Sequence, residues 1–531
     1  MRARRADDQI ISGWQAVFTG RIIAAGLGGE FESTDRMVKR VAIVVHRWLG
    51  VGLCLLFLVW FPSGIGMMYW DFPGVTASDR FDRSPALDPS TVRVSPTEAY
   101  GVLGESQAPA GVRLNTFDGR PVYRFLAARG ETLVYADTGA RQAGVTKELM
   151  QRAATAWTRQ PVSAATVTAI DVDQWTVEGT FRDLQPLWKY SWPDGEHVYV
   201  SERSGEVVQY TTRRSRMGAY LGPIPHWLYF TPLRRHQPQW SAVVIGSSGI
   251  GTVAAILGLV IGLWMYSPSK RYRDAGVPTS IPYRGQKRWH MVLGLIFGLG
   301  AVTWAFSGML SMDPFPATRT GGSAGGRRDG GGGGIPQALR GRPQLAAFSG
   351  KHPREALGEL GHANVKELEL VSFADTPVYI ARLGGGGTRI VPVDGPVRDG
   401  FDPQRIIDLA RAAAAPMALA DIRVIDRYDI YYLDRHRALP LPAILIRLSD
   451  FEHTRYYIDP RTAQVAGGYS ARNWVTRWLY HGLHSLDFPW LYDHRPAWDI
   501  TVIAFMLGGT ALCVTSLILA WGVVGRKLRG S

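Results

Sequence analysis

Four long apolar runs alternate with two long stretches of mixed polar and apolar sequence along this chain of 531 residues. Each run exceeds the roughly 20 residues that a helix needs to cross about 30 Å of hydrocarbon. The pattern therefore predicts four membrane-spanning helices. They cover residues 37–70, 241–266, 289–312 and 498–524.

The mixed stretches, residues 71–225 and 313–480, are each large enough to bury a core of their own. Both combine short strand-like runs, bounded by turn residues, with an amphipathic helical pattern. We expect each stretch to fold as an α+β domain. Two interfacial segments, 226–240 and 481–497, lead from these domains into the second and fourth spans.

Four further segments complete the predicted organisation. Residues 1–36 form an N-terminal extension, and Met37 offers an alternative start of translation directly before the first span. Residues 267–288 connect the second and third spans, and residues 525–531 form a tail. A glycine-rich tract, 321–334, interrupts the second domain and is predicted to be a flexible loop.

The formal net charge of +14 reflects membrane topology rather than a nucleic-acid surface. Lys and Arg concentrate before the first span, in the 267–288 loop and in the tail, and short basic segments of this kind face the cytoplasm. We therefore predict a multi-pass protein of a bacterial inner membrane with cytoplasmic termini, periplasmic domains and no nucleic-acid partner. The basic residues are Lys39, Arg40, Arg47, Lys270, Arg271, Arg273, Arg284, Lys287, Arg288, Arg526, Lys527 and Arg529.

The histidines near the membrane recur at matching positions in the two halves of the chain. The motif His-Arg-Trp-Leu-Gly opens the first span, and His-Met-Val-Leu-Gly opens the third span 244 positions later (46 to 290). The approaches to the second and fourth spans match at a distance of 258 positions (226 to 484). Duplicated parallel halves place such residues face to face around an axis along the membrane normal. The pairs are His46 with His290, His226 with His484, and His236 with His494.

Paired imidazoles in a bilayer indicate the two axial ligands of a haem. An ionisable side chain in or beside a membrane is costly and is therefore a candidate functional residue. A bis-imidazole haem needs one neutral imidazole on each face of the porphyrin. No Cys-x-x-Cys-His motif occurs, so the haem would be held without a covalent bond. We predict two haem b groups, one bound near the cytoplasmic side by His46 and His290 and one near the periplasmic side by His226 and His484.

Three further histidines near the membrane have more than one interpretation. His236 and His494 both begin a His-x-Pro-x-Trp motif, and they are either a third ligand pair or anchors at the membrane surface. His481 has no counterpart, because Pro223 occupies its position in the first half. On a helix His481 would share a face with His484, so it is an alternative axial ligand, a contact to an iron substrate, or a surface residue.

These motifs resemble the PepSY-associated transmembrane family over residues 37–525. The resemblance rests on the two histidine motifs with Ser-Gly near the end of each span, on the His-rich approach to the next span, and on Asp-x-x-(Thr/Ser)-Gly-x-Val strand turns. It implies two PepSY-like domains and, because members include haem-b reductases of ferric siderophores, a ferric siderophore as electron acceptor. The chain departs from those reductases by its N-terminal segment, its glycine-rich loop and its lack of a flavodoxin-like or NADPH-binding domain.

The sequence thus predicts a four-helix membrane bundle, duplicated as two plus two spans, and the resemblance implies an oxidoreductase in iron acquisition. Two haems suit a hydrocarbon thickness of about 30 Å, which is long for a single electron hop. Quinol and a cytoplasmic flavoprotein are both candidate electron donors. Two other functions stay open: a non-catalytic PepSY module that binds peptides or regulates a partner, and a transporter of metal or siderophore.

Overall fold

The computed structural model describes residues 28–127, 130–314 and 334–529. Most of the predicted N-terminal extension and nearly all of the predicted glycine-rich loop lie outside the described residues. The described chain contains fifteen α-helices and one π-helix, Val475–Gly482. The α-helices are α1 Gly28–Tyr69, α2 Ala77–Arg83, α3 Pro96–Gly101, α4 Lys147–Thr158, α5 Arg213–Leu221, α6 Pro223–Trp227, α7 Thr231–Arg234, α8 Gln237–Met265, α9 Gly285–Leu310, α10 Ile335–Leu339, α11 Pro353–Glu359, α12 Pro403–Ala414, α13 Leu483–Ser485, α14 Pro489–Tyr492 and α15 Ala497–Arg529.

Four of these helices, α1, α8, α9 and α15, are long and apolar enough to cross a membrane, and each lies at one of the four apolar runs in the sequence. Helices α8 and α9 each begin four residues before the predicted apolar run, and α15 continues past it. Backbone hydrogen bonding does not stop where apolar side chains stop, so polar turns extend a helix beyond the hydrocarbon. The protein is therefore a membrane-embedded chain with four candidate spans.

The described strands form three larger antiparallel sheets and one two-stranded hairpin. The hairpin, formed by β8 and β9, lies in the loop between α8 and α9. The strands are β1 Gly111–Phe117, β2 Arg120–Ala127, β3 Gly130–Tyr135, β4 Thr166–Ile170, β5 Leu187–Ser191, β6 His197–Ser201, β7 Val207–Thr211, β8 Tyr272–Asp274, β9 Val277–Thr279, β10 Val365–Phe373, β11 Thr376–Leu383, β12 Thr388–Pro392, β13 Leu419–Ile425, β14 Ala443–Leu448, β15 Arg455–Asp459 and β16 Gln464–Tyr469.

The largest sheet joins the two predicted domains, which corrects the expectation that they fold separately. Its strand order is β12-β11-β10-β1-β2-β3, and β1 pairs with β10 in the register Val112 to Leu370 and Leu114 to Leu368. Both strands would otherwise leave an open edge of unpaired N–H and C=O groups, and their pairing covers both edges at once. Apolar residues of both stretches also share one core beneath this sheet.

The other two large sheets each belong to one stretch. Strands β4 to β7 follow one another in chain order, as do β13 to β16. Helix α4 packs Met150 and Ala154 into the core of the first sheet, and α12 packs Ile406 and Ala410 into the core of the second. Each helix has a residue at its N-terminus whose side chain accepts a hydrogen bond from a backbone N–H of the first turn. This residue is Thr146 for α4 and Asp402 for α12.

The chain divides into two compact units. One unit consists of residues up to 55, 250–302 and from 511 onward, and so contains one part of each spanning helix and the hairpin. The other consists of residues 56–249 and 303–510 and contains the remaining helix segments and the three large sheets. Each unit holds one of the predicted histidine pairs, as described next.

Candidate functional site

The first histidine pair, His46 of α1 and His290 of α9, brings its two rings to a centroid distance of 6.2 Å, with planes inclined by 39°. His46 Nδ1 lies 2.9 Å from the backbone oxygen of Ala254. A carbonyl oxygen can only accept, so Nδ1 carries the ring proton and donates it. Nε2 of His46 therefore keeps its lone pair and is the nitrogen that can bind a metal.

His290 has the same tautomer for a different local reason. Its Nδ1 lies 3.1 Å from Thr515 Oγ1 and 3.4 Å from Ser516 Oγ. Both hydroxyls donate their own protons to the backbone oxygen of Leu512, at 2.7 and 3.0 Å. Because both hydroxyl protons are already donated to Leu512, the hydroxyl oxygens accept a hydrogen bond from Nδ1–H. Nε2 of His290 is then the nitrogen that can bind a metal.

Close packing fixes the position of the His46 ring. A Cβ added to Gly258 of α8 would lie 2.6 Å from His46 Cε1 and 3.3 Å from His46 Nε2. Real Cβ atoms do not approach other atoms to 2.6 Å, so only glycine lets α8 lie this close to the imidazole.

The second histidine pair, His226 of α6 and His484 of α13, has ring centroids 5.9 Å apart and an interplanar angle of 61°. His226 Nδ1 lies 3.2 Å from Ser63 Oγ and 3.3 Å from the backbone oxygen of Trp60. Ser63 donates to that same carbonyl at 2.9 Å, so both oxygens accept from the ring. The proton of His226 is again on Nδ1.

His484 repeats this arrangement in the other half of the chain. Its Nδ1 lies 3.1 Å from Ser307 Oγ, and Ser307 donates to the backbone oxygen of Trp304 at 3.3 Å. Trp304 Nε1 in turn donates to the backbone oxygen of His484 at 2.9 Å, which fixes the segment that carries the ring. Ser63 and Ser307 occupy equivalent positions of the sequence repeat, 244 apart, and make the same contact.

The second pair lies outside the four spans and is uncharged at neutral pH. Burial lowers the pKa of His226 to about 4. Burial, together with the neighbouring His226, lowers the pKa of His484 to about 3. Metal binding requires the neutral imidazole, so no proton has to be displaced at pH 7.

The spacing of both pairs fits two imidazoles that share one metal ion. A metal–imidazole nitrogen bond is about 2.0 Å and the ring centre lies roughly 1.1 Å beyond the nitrogen, so two opposed rings have centres about 6.2 Å apart. The two pairs measure 6.2 and 5.9 Å. A hydrogen bond from the other ring nitrogen of each histidine is the usual way in which proteins orient such ligands.

The donor set of each pair, two imidazoles, is of the kind that holds a porphyrin iron. In the described part of the chain, no group of three or more His, Cys, Asp or Glu residues is placed to hold a metal ion. Two imidazoles leave four coordination positions to another ligand, which a porphyrin supplies. The residues present therefore fit a b-type haem at each pair.

The remaining predicted histidines do not join these pairs. His236 and His494 are both exposed, and the structure does not bring them together as a third pair. His494 Nδ1 lies 2.6 Å from the backbone oxygen of Trp490, one turn earlier. His481 lies beside the second pair, and its Nδ1 faces Asp487 Oδ2 at 3.3 Å, which leaves Nε2 of His481 free as it is in the paired histidines.

Sequence reasoning missed the groups that orient the imidazoles. Ser63 and Ser307 recur in the repeat, and this recurrence together with their place one to two turns from the span end was the available signal. Ala254 could not be identified from the sequence, because it contacts His46 through its backbone oxygen and every residue has one. Thr515 and Ser516 have no hydroxyl counterparts 258 positions earlier, where Leu257 and Gly258 lie.

Comparison with known proteins supports the family resemblance. The model of the PepSY-associated TM region matches residues 43–522, which is most of the chain and includes both histidine pairs. No curated protein sequence matches the chain significantly. On the strength of the family match, this chain belongs to the PepSY-associated transmembrane family.

Proposed function

We propose that this protein is a haem-b reductase of the bacterial inner membrane that passes electrons outward to a periplasmic ferric siderophore during iron acquisition. The observation that carries the proposal is the geometry of the two histidine pairs. In each pair the rings are separated by the distance of two ligands on one metal, and each of the four Nε2 atoms is left free by a hydrogen bond at Nδ1.

The protein's own residues would hold and tune the cofactors. His46 and His290 would bind one haem b, and His226 and His484 the other, without covalent attachment. A bis-histidine haem supplies single-electron transfer, because the iron changes oxidation state while keeping both ligands. The hydrogen bonds at Nδ1 increase the basicity of the ligands and hold the rings in place.

The proposed topology rests on charge and on residues near the helix ends. The 267–288 loop is rich in Lys and Arg, which predicts a cytoplasmic position for it and for both termini. Lys39 lies 5.9 Å from the ring of Trp264, and Lys527 lies 4.9 Å from the ring of Trp48. Trp and Lys side chains at helix ends are typical of a membrane interface. The strand-rich stretches would then lie in the periplasm, as two halves that arose by duplication.

The acceptor and donor follow from the family and from coordination chemistry. Ferric iron in a siderophore is held by hard oxygen ligands, and gain of one electron gives ferrous iron, which those ligands hold less tightly. A quinol in the membrane or a flavoprotein in the cytoplasm would supply the electron.

Reconstitution tests this function directly. The purified protein in liposomes would be reduced anaerobically with dithionite, freed of excess reductant, and mixed with a ferric trihydroxamate and a chelator that colours with ferrous iron. We expect reoxidation of the haem absorbance together with one ferrous complex per electron. Haem that stays reduced in the presence of every ferric siderophore supplied would contradict the proposal.

One observation favours a second candidate function, the non-catalytic PepSY module that binds peptides. A cavity of about 580 Å³ lies between the large sheet and α4, and it is lined by Thr116 and Trp157. Thr116 Oγ1 and Trp157 Nε1 are buried without a hydrogen-bond partner among the described residues. A peptide backbone could satisfy both. A colourless protein that binds peptides, with affinity lost in Trp157→Phe, would establish this function instead.

A further inference from the structure

A second cavity, of about 640 Å³, adjoins the second histidine pair. His226 and His484 both line it, so the proposed haem would take up the space between the two rings, and a second molecule in the rest of the cavity would lie against that haem. The rest of its lining includes an unusual set of polar groups from the π-helix Val475–Gly482 and the turn after it: Arg477, Tyr480, His481 and Asp487.

Arg477 is the most telling member of this set. Its side chain is only 8% exposed, yet it lines the cavity. Nε donates to the backbone oxygen of Ile430, and Nη2 donates to the backbone oxygen of Asp487 at 2.7 Å. Nη1 is buried and has no hydrogen-bond partner within the described chain. A buried guanidinium N–H without a partner is costly, which points to a ligand that accepts from it.

Asp487 holds the neighbouring polar groups in place. Its backbone oxygen accepts from Arg477, and its Oδ2 lies 3.3 Å from His481 Nδ1. Its Oδ1 accepts from the hydroxyl of Tyr492 at 2.8 Å. The ring of Tyr480 lies 5.4 Å from the ring of His484, so the same segment reaches from Arg477 to the second pair.

This polar set occurs in only one half of the chain. The equivalent positions, 258 residues earlier, carry Ala219, Gly222, Pro223 and Tyr229 in place of Arg477, Tyr480, His481 and Asp487. Features that serve the paired histidines occur in both halves: Ser63 with Ser307, and Gly64 with Gly308. Because this polar set has no counterpart in the other half of the chain, it suits a ligand that binds at a single site in the protein.

We propose that this cavity binds the acceptor itself, an oxygen-rich metal chelate, and that Arg477 Nη1 donates a hydrogen bond to an anionic oxygen of that chelate. The inference rests on the function proposed above. Arginine suits this role because its planar, permanently charged fork matches an oxyanion, and two of its nitrogens are already fixed here. A porphyrin propionate offers the same carboxylate chemistry, so the test has to separate the two sources.

The test uses gallium(III) complexes of a trihydroxamate and of a tricatecholate siderophore, because gallium cannot take the electron. Binding to the full-length protein in detergent is therefore measured apart from reduction. The variant is Arg477→Lys, and the matched control is Arg234→Lys. Arg234 is also 8% exposed, but it stacks on Tyr229 and Trp240 and does not line the cavity.

We expect at least one gallium complex to bind, about tenfold or more weaker binding in Arg477→Lys, and near wild-type binding in Arg234→Lys, with haem content and spectra unchanged in both. Equal binding in Arg477→Lys together with a changed haem spectrum or potential would assign Arg477 to a propionate and overturn the proposal. Failure of the wild-type protein to bind either complex would also overturn it. Binding without reduction of the matching ferric complex would instead refute only the reductase function.

Discussion

At each of the four paired histidines, one or two oxygen atoms accept a hydrogen bond from Nδ1–H and thereby decide which nitrogen can bind metal. The acceptor is a backbone carbonyl at His46, two hydroxyls at His290, a serine hydroxyl with a backbone carbonyl at His226, and a serine hydroxyl at His484. These contacts fix each ring in the tautomer whose Nε2 can bind a metal. We regard this preorganisation as the chemical core of the site.

Removal of one such acceptor should change the redox potential without removing a ligand. In Ser307→Ala, the His484 ring loses its hydroxyl partner and becomes less basic, so the ferric state is less stabilised. We expect the midpoint potential of one haem to rise by about 20–60 mV, since 59 mV corresponds to a tenfold change for one electron. Redox titration of the purified protein measures this. Ser247→Ala, at a half-buried helix serine that bonds to the backbone oxygen of Val243, should leave both potentials unchanged. A fall in potential would contradict the account.

The close approach of α8 to His46 gives a steric prediction. In Gly258→Ala the new methyl group would lie 2.6 Å from His46 Cε1 and would displace the ring. We expect the variant to lose one of two haems, although alanine favours a helix over glycine by about 1 kcal/mol. Gly246→Ala is the matched control in the same helix, because a Cβ there meets nothing within 4 Å. Equal haem content in the two variants, measured by pyridine haemochrome, would show that the contact does not matter.

The histidine pairs could be predicted because each pair combines an ionisable side chain at the membrane with a repeated position. Repetition alone was insufficient. His236 and His494 repeat as regularly as His226 and His484, yet both are exposed. Duplication preserves surface residues as well as ligands, and only packing tells them apart. The acceptor at His46 could not be predicted, since every residue has a backbone oxygen.

At the level of elements, the main departure from prediction is the pairing of β1 with β10. The alternation of apolar residues indicated both strands, but it does not say which strand lies beside which. The sequence of β1 itself does not indicate that its partner strand, β10, lies more than 200 residues later in the chain. The π-helix Val475–Gly482 was likewise not predicted, because its sequence is compatible with an ordinary amphipathic helix. π-helical turns often occur at functional sites, which agrees with its place at the second cavity.

The shared sheet predicts that the two strand-rich stretches unfold together. Leu368 in β10 is fully buried opposite Leu114 in β1. We expect Leu368→Ala to lower the free energy of unfolding by about 2–5 kcal/mol, as for other large-to-small changes in a core. Hydrogen exchange should become faster in β1 as well as in β10. Val424→Ala, at a side chain that is 57% exposed, serves as the control. Faster exchange confined to β10 would show that the stretches are independent.

For the whole molecule, the distribution of basic residues predicts which parts lie on which side of the membrane. The only two cysteines, Cys54 and Cys513, are buried in the spanning helices, so single exposed cysteines can be labelled against a low background. We expect a membrane-impermeant maleimide to label Arg203→Cys in intact spheroplasts. Ala275→Cys, in the β8–β9 hairpin, should react only after the membrane is opened. The reverse pattern would invert the topology and place the proposed acceptor site in the cytoplasm.

The number of spans and the family could be predicted for the whole chain, because hydropathy and motif spacing are properties of the sequence alone. The polar cavity beside the second histidine pair could not be predicted. Its residues lie in a segment where the sequences of the two halves differ, so the repeat that indicates the paired histidines does not indicate this cavity. His481 stands out in the sequence because Pro223 occupies its position in the other half, whereas its contact with Asp487 depends on the fold.

The most direct test of the central claim is the haem content and reduced-minus-oxidised spectrum of four purified proteins. These are the wild type, His290→Ala, His226→Ala and the exposed-histidine control His236→Ala. We predict two b-type haems per chain with bis-histidine spectra in the wild type and in the control, and the loss of one haem in each of the other two variants. A colourless wild-type protein, or unchanged haem content in both His290→Ala and His226→Ala, would contradict the assignment of paired imidazoles as haem ligands.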